Sequence, residues 1–235
     1  MIEVEWWEFE DDATLASEVA GDVGFIIERA IEQNGKAELA LPGGAATLPL
    51  LEALAKRDCD WSKVRVFPIE ERIVEPGSAL SNYASLQRIL GAAGATVTPL
   101  LDHDQNWSTQ EAGRSADARL AGLSWPVDLV WLDMAADGST AAIFPRSMDA
   151  ALDAPRERRA VGVTPDPMPE DAAVDRVTLT RGALTSAHTM IVTLAGAEAR
   201  ATLERAIEDG PLSRAPIGRV LADVEVPVDV YWSAR

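Results

Sequence analysis

Cysteine, histidine and lysine are all scarce in this 235-residue sequence, which has one cysteine, two histidines and three lysines. The single Cys59 excludes a disulfide framework within the chain. It stands among charged residues, where an incidental thiol is much commoner than a nucleophile. Stability must therefore come from a hydrophobic core, and a chain of this length can bury one. This cysteine use leads us to expect a reducing, cytoplasmic location.

Long apolar runs and excess positive charge are also missing. No stretch approaches the roughly 18 apolar residues that a membrane-spanning helix needs. The acidic start MIEVEWWEFEDD is unlike a signal peptide. The formal net charge of −17 would repel the phosphates of a nucleic acid. We therefore expect neither a membrane nor a nucleic acid as a partner.

The two histidines, His103 and His188, do not lie in a pattern that indicates a catalytic or metal site. Neither has the spacing to serine and aspartate that would indicate a nucleophilic triad, and the chain has no convincing cluster of metal-ligating residues. We therefore expect no metal ion and no organic cofactor.

What the sequence does contain is a regular alternation of short apolar segments with longer helical ones. Strands are predicted over 4–9, 37–41, 64–69, 127–132, 159–163, 176–180, 189–194 and 228–232. Helices are predicted over 12–33, after Pro42-Gly43-Gly44 as far as Leu54, and over 81–90, 108–123 and 198–208. Such alternation predicts an α/β fold with a doubly wound, mostly parallel, Rossmann-like sheet. We expect residues 1–235 to form a single domain.

Three polar or glycine-rich loops follow predicted strands, over 42–47, 70–74 and 133–144. The carboxyl ends of parallel strands meet at one edge of the sheet, and ligands bind there. The loops should therefore lie together, and a structure that separated Gly44, Arg72 and Ser139 would contradict the predicted fold.

The first loop contains Gly43 and Gly44 just before a helix. Two glycines allow close approach of an anion, and the helix start offers free N–H groups. Thr47 is a candidate N-cap, and Pro49 is tolerated in the first turn. A plain strand-to-helix turn explains the same residues.

The other two loops carry the candidate acids and bases. Glu70, Glu71 and Arg72 could supply a proton-transfer group and a cation for an anionic substrate, or could form a solvated edge. The segment DGST contains Asp137 and Ser139 and is predicted to lead into a helix. It could be a catalytic loop or only a tight turn with a helix cap.

Taken together, these segments resemble the 6-phosphogluconolactonase family, whose fold is similar to that of the glucosamine-6-phosphate deaminases. LPGGAATLPLLEALA resembles the family's Ser-Gly-Gly-Ser-Thr-Pro loop and helix. DWSKVRVFPIEERIVEPGSALSNYASL resembles its Asp-Trp-Ser-Lys-Val strand, its Asp-Glu-Arg triplet and its Ser-Asn-Tyr helix start. DLVWLDMAADGSTAAIFP resembles its Gly-Met-Gly-x-Asp-Gly-His-Thr segment, and RVTLTRGAL and TLAGAEARATLERAI match two later segments. The resemblance covers nearly the whole chain.

Several positions depart from the family pattern. The family's catalytic histidine falls at Ser139, and its phosphate-binding lysine falls at Ala199, beside Arg200. The remaining departures replace loop hydroxyls, an aspartate and two glycines of the family, at Pro42, Ala45, Ala46, Glu70, Asp133 and Ala135. The side chains that would hold a phosphate and move a proton are therefore the ones most altered.

The resemblance implies a 6-phosphogluconolactonase-type carboxylic ester hydrolase that opens sugar-phosphate lactones in the pentose phosphate pathway. A serine cannot act as a base at neutral pH without a partner that takes its proton, so we expect slow hydrolysis, if any. The candidate catalytic residues are Ser139, Glu70 and Asp137. The candidate substrate- and phosphate-binding residues are Gly43, Gly44, Glu71, Arg72 and Arg200.

Two alternatives remain at this point. The chain could be a catalytically inactive relative of the same fold that binds a sugar phosphate or regulates another protein. It could also be an aldose–ketose isomerase or deaminase, which the matched segments favour less. In each case the expected partner is a small sugar phosphate, and we expect a monomer or a weak homo-oligomer.

Overall fold

The computed structural model describes residues 2–75, 77–102, 106–170 and 172–234. The strands are β1 (Val4–Phe9), β2 (Ala37–Leu41), β3 (Val64–Pro68), β4 (Glu70–Arg72), β5 (Thr96–Val97), β6 (Val127–Asp133), β7 (Ala160–Val163), β8 (Arg176–Leu179), β9 (Ala187–Ala195) and β10 (Val228–Ser233). The helices are α1 (Asp12–Asn34), α2 (Leu48–Leu54), α3 (Asn82–Leu86), α4 (Thr109–Leu120), α5 (Asp149–Leu152), α6 (Arg181–Leu184), α7 (Ala197–Asp209) and α8 (Pro216–Leu221).

Seven of these strands form one sheet in the order β1-β10-β9-β6-β2-β3-β5, and every pairing in it is parallel. Each face of this sheet is covered by its own hydrophobic cluster. Leu129 and Trp131 of β6 belong to one cluster, and Val130 and Leu132 belong to the other. This explains why residues 129–132 of β6 are all apolar, and it confirms the predicted doubly wound, mostly parallel sheet.

The longest helix illustrates how local sequence sets the boundaries. Asp11 precedes α1 and its Oδ1 accepts a hydrogen bond of 2.8 Å from Thr14 N–H, which satisfies one free donor of the first turn. Gly35 ends the helix at φ 75°, and its N–H donates to the Ile31 carbonyl. The predicted helix at 81–90 is present, but only its first half, Asn82–Leu86, is α-helical, and Gln87–Gly91 winds into a π-helix.

A second, smaller sheet was not predicted. Strands β4, β8 and β7 pair antiparallel in that order, separately from the parallel sheet. The predicted strands at 159–163 and 176–180 therefore exist but do not continue the parallel sheet. The segment 70–74, predicted to be a loop, begins with strand β4. Alternation of strands and helices cannot reveal this change of sheet, because a three-residue strand carries almost no periodicity.

The carboxyl ends of β2, β3 and β6 all face one edge of the large sheet, as the predicted fold requires. His188 lies near the opposite, amino end of β9 and is exposed. The other histidine, His103, falls outside the described residues. Along the described ranges, no helix is both long enough and apolar enough to cross a membrane.

Candidate functional site

A cleft of about 520 Å³ opens at this carboxyl edge, between the large parallel sheet and the small sheet. Strands β4 and β8 supply one wall, and the segment that follows β6 supplies the other. The charged residues that line it are Glu70, Arg72, Asp133, Asp137 and Arg176. Ser139 also lines it, so the structure brings together Glu70, Arg72, Asp137 and Ser139 from the predicted set.

The segment 133–144 forms a compact loop rather than the start of a helix, so the predicted helix there is wrong. Ala141 and Ala142 have φ values of 47° and 54°, which are left-handed and incompatible with a right-handed helix. Thr140 Oγ1 donates to the Asp133 carbonyl at 2.7 Å and closes the loop. Gly138 has a φ of 81°, and a Cβ there would lie 2.5 Å from the Ala215 Cβ, so glycine suits this position.

Ser139 and Asp137 are bonded to each other inside this loop. The Ser139 hydroxyl donates to Asp137 Oδ1 at 2.6 Å, and the Ser139 N–H donates to the same oxygen at 2.9 Å. Asp137 is exposed, whereas Ser139 is half-buried. This arrangement is a turn stabilised by an aspartate side chain, and it holds the Ser139 hydroxyl at the surface of the cleft.

The Glu70 carboxylate is held in place by neighbours on both sides. Asn82 Nδ2 donates to Glu70 Oε1, and Arg176 Nε lies 3.9 Å from Glu70 Oε2. Within the described ranges, Glu70 Oε2 is buried and accepts no hydrogen bond. Burying a carboxylate oxygen without a hydrogen-bond donor costs free energy. A hydroxyl group of a ligand, or a water molecule, that donates to this oxygen would therefore be stabilised.

Arg72 is held just as firmly. Its Nη1 donates to the Leu80 carbonyl at 2.9 Å and to Asn82 Oδ1 at 2.6 Å. Its Nε is buried, and no acceptor among the described residues bonds to it. Asn82 thus bridges the acid and the cation of the cleft, and the guanidinium of Arg72 keeps donors that an anionic ligand could satisfy.

Arg176 was missed in the sequence, although it shares this cleft. Its side chain is only 3% exposed, and it donates to the Val174 and Ala172 carbonyls at 2.6 and 2.8 Å. One sequence feature could have indicated it: an arginine begins an otherwise apolar strand. A cation buried in such a strand needs specific partners, so it is a candidate for a functional site.

Glu71 is buried and does not line the cleft, so the prediction that it contacts substrate is corrected to a positioning role. Its carboxylate accepts from the N–H groups of Arg72, Asn82 and Tyr83 and from the Ser81 hydroxyl. Burial is the main cause that raises the pKa of Glu71 to about 7. Glu71 therefore anchors β4 to the start of α3 and so places Asn82.

Asp133 stands at the carboxyl end of β6 and faces the cleft. A Cβ built on Gly44 would lie 3.9 Å from Asp133 Oδ2, so the glycine loop reaches this carboxylate. Burial first, and then the charge of Glu70, raise the pKa of Asp133 to about 6, while the charge of Arg72 acts in the opposite direction. A carboxylate with this pKa can exchange protons near neutral pH.

The glycine loop is built differently from the predicted anion cradle. A Cβ on Gly43 would lie 2.7 Å from Asn82 Cβ, so Gly43 allows contact with α3. Neither Gly43 nor Gly44 lines the cleft. The Thr47 hydroxyl donates to the Gly44 carbonyl at 2.9 Å and does not cap α2 as predicted, while Pro49 stands in the first turn as expected.

Arg200 lies outside the cleft, so the structure does not support it as a second phosphate ligand. Its guanidinium binds Glu8 at 2.8 Å and Glu204 at 2.9 Å. It also lies over the rings of Trp6 and Trp232, with 5.1 and 4.7 Å to the ring centroids. These four side chains account for Arg200 as a packing and ion-pair residue at the β1 edge of the sheet.

Comparisons with known proteins agree with this architecture. Residues 10–232 match the family model of glucosamine-6-phosphate isomerases/6-phosphogluconolactonase. A 6-phosphogluconolactonase of Pseudomonas putida is 35% identical over 228 residues, which cover 96% of this chain and 91% of the relative. One of Rhizobium meliloti (strain 1021) is 32% identical over 230 residues, which cover 96% of this chain and 97% of the relative.

Solved structures lead to the same family. The crystal structure of a 6-phosphogluconolactonase from Shewanella baltica OS155 superposes with a TM-score of 0.89 at 28% identity. The match covers 99% of this chain and 98% of that one. On the sequence match and on the fold, the chain belongs to the family of glucosamine-6-phosphate isomerases and 6-phosphogluconolactonases.

Proposed function

We propose that the chain hydrolyses the lactone of 6-phosphogluconate, as a lactonase-type carboxylic ester hydrolase of the pentose phosphate pathway. The observation that carries this proposal is the cleft at the carboxyl edge, where acidic side chains and two arginines converge. Relatives named 6-phosphogluconolactonase match nearly the whole chain, which favours this activity over an inactive paralogue and over an isomerase.

The charges in the cleft suggest a role for each residue. Arg72 and Arg176 attract the anionic end of a sugar phosphate, and the buried Nε of Arg72 offers a donor to it. Glu70 borders the cleft from β4, and its Oε2 could accept a hydrogen bond from a substrate hydroxyl group. Asp137 and Ser139 border the same cleft at its other wall. Gly44 keeps the first loop close to this site without adding a side chain.

A direct assay tests the proposal. Freshly generated 6-phosphogluconolactone is added to the protein, and acid release is followed against the spontaneous rate in the same buffer. We expect acceleration above that rate and no turnover of glucosamine 6-phosphate. Binding of 6-phosphogluconate without any acceleration would instead support the sugar-phosphate-binding alternative.

Replacing Arg72 with alanine should weaken the binding of 6-phosphogluconate by about 10- to 100-fold, since a hydrogen bond to a charged group contributes about 1.5–3 kcal/mol. Isothermal titration calorimetry measures the change. Arg205→Ala is the matched control, because Arg205 is exposed on α7. Equal affinities for the two variants would remove Arg72 from the binding site.

We further propose that the chain forms a single domain, in the cytoplasm, as a monomer or a weak homo-oligomer that binds no nucleic acid and no membrane. The single domain is supported by one hydrophobic cluster that contains Val130 of the large sheet together with Val161 and Val177 of the small one. The net charge of −17 supports the absence of a nucleic-acid partner.

A further inference from the structure

Lactone hydrolysis needs a group that takes a proton from the attacking water and returns one to the leaving oxygen. The described part of the cleft contains no histidine, and Ser139 occupies the position where the resemblance expects one. Three carboxylates line the cleft and could take over this role: Glu70, Asp133 and Asp137. The contacts of these three carboxylates differ, and the differences indicate which of them can transfer a proton.

Two of the three carboxylates, those of Glu70 and Asp137, already make contacts that hold the site together. Glu70 is fixed between Asn82, which donates a hydrogen bond to its Oε1, and Arg176, whose Nε lies 3.9 Å from its Oε2. Asp137 is exposed, and its Oδ1 accepts two hydrogen bonds from Ser139 that define the loop. Moving a proton on to either carboxylate would weaken contacts that shape the site.

Asp133 has neither constraint. Its backbone is anchored, because it ends β6 and its carbonyl accepts from Thr140 Oγ1 at 2.7 Å. No side chain of the described residues donates a hydrogen bond to its carboxylate. The carboxylate borders the cleft of about 520 Å³ and also a neighbouring, more apolar one of about 420 Å³. Asp133 therefore lies between the two clefts and lines both of them.

We propose that the Asp133 carboxylate is the proton-transfer group of this enzyme, in place of the histidine that Ser139 has replaced. The inference rests on the proposed lactonase function. Asp133 stands at a position where the family pattern has glycine. The proposed catalytic role therefore does not follow from the family motif.

The proposed step conserves atoms and protons. A water oxygen bonds to the lactone carbonyl carbon while one water proton passes to an Asp133 oxygen, and the carbonyl oxygen becomes an oxyanion. The bond between that carbon and the ring oxygen then breaks. The proton on Asp133 passes to the ring oxygen, which becomes a hydroxyl group. The resulting carboxylic acid ionises, and Asp133 is again a carboxylate.

The charges around Asp133 set the pH dependence of this step. Glu70 and Arg72 on β4 and Arg176 on β8 face it across the cleft, and Asp137 lies in its own loop. From α1, Asp12 borders the neighbouring cleft and accepts from Ser233 Oγ at 2.6 Å. The pKa of Asp133, raised to about 6 chiefly by burial, predicts that kcat rises with pH between 5 and 7.

The test is the lactonase assay on Asp133→Asn, with Asp58→Asn as the matched control, since Asp58 is exposed and lines neither of the two clefts that Asp133 borders. We expect Asp133→Asn to lower kcat by about 100-fold or more, within the usual 10²–10⁴ for a positioned base. Asp58→Asn should leave kcat unchanged. The thermal midpoint of each variant shows whether it is folded.

The pH profile of the wild-type protein tests the inference without any variant. We expect kcat to fall about tenfold per pH unit below pH 6, and a flat profile from pH 5 to 7.5 would overturn the inference. An Asp133→Asn variant within about threefold of the wild type would also overturn it, while lactonase function would stand. A wild type no faster than spontaneous hydrolysis would refute the function itself, and with it the role of Asp133.

Discussion

Replacing Ser139 with histidine should raise kcat for lactone hydrolysis by about tenfold or more, because a positioned general base contributes about 10²–10⁴ in rate. Two features of the site suit a histidine at this position. Position 139 borders the cleft, and the Asp137 oxygen that now accepts from the serine could hold an imidazole N–H. The expected gain can lie below this range because Asp133 already serves as a base in our proposal. Steady-state kinetics at pH 7.5 measure it.

Ser139→Asn is the control for this experiment, since asparagine has hydrogen-bonding groups but no basic nitrogen. It should not raise kcat. If the histidine variant also gives no gain while 6-phosphogluconate still binds, the altered positions Ala135, Ala199 and Glu70 have changed the site beyond one residue. The inactive binding protein would then be the better description. A wild type that already turns over at an ordinary enzyme rate would show that a histidine at position 139 is not needed for catalysis.

Replacing Gly43 with alanine should destabilise the fold by about 1–3 kcal/mol, the usual cost of overpacking a filled interior. A Cβ at this position would lie 2.7–2.9 Å from the Asn82 Cβ, carbonyl oxygen and Cα, and two of these are backbone atoms. Asn82 holds both Glu70 and Arg72, so the same displacement should reduce lactonase activity. Urea denaturation followed by tryptophan fluorescence measures the free energy of unfolding.

Gly21→Ala is the matched control, because Gly21 lies within α1 and a Cβ there would meet no atom within 4 Å. Alanine is a better helix former, so this change should stabilise the protein by about 0.5–1 kcal/mol. The two substitutions add the same methyl group and are expected to have opposite signs. A Gly43→Ala protein as stable as the wild type would mean that Asn82 and the first loop are not tightly packed.

The large sheet could be predicted because each of its main strands is recognisable from the composition of its own short segment. Apart from Glu38 and Asp128, the segments 37–41 and 127–132 are apolar on both faces, and a strand that is buried on both sides needs mostly apolar residues. The edge that gathers the three loops then follows from parallel strand direction alone. The small sheet could not be predicted, since β4 has three residues and pairs with Arg176–Leu179, more than 100 residues later. The left-handed Ala141 and Ala142 gave no signal either, because alanine favours helices.

The candidate site was predicted in part, for a similar reason. Glu70 and Arg72 line the cleft because they follow β3, and Ser139 lines it because it follows β6, another strand of the large sheet. Glu71 was misassigned because residues in a strand alternate sides, and only the structure shows that its neighbours point to the cleft while it points to α3. Arg200 was misplaced because its position on the surface of α7 depends on Trp6 and Glu8, which are distant in the chain.

The pairing of the small sheet has one further consequence. Arg72 and Arg176 are direct partners across β4 and β8, and like charges opposite each other on antiparallel strands repel. An anion bound in the cleft beside both arginines would be attracted by both, so its binding would raise the heat tolerance of the whole protein. When the supply of sugar phosphate falls, the protein should become easier to unfold. Its abundance in a cell would then follow the supply of its own substrate.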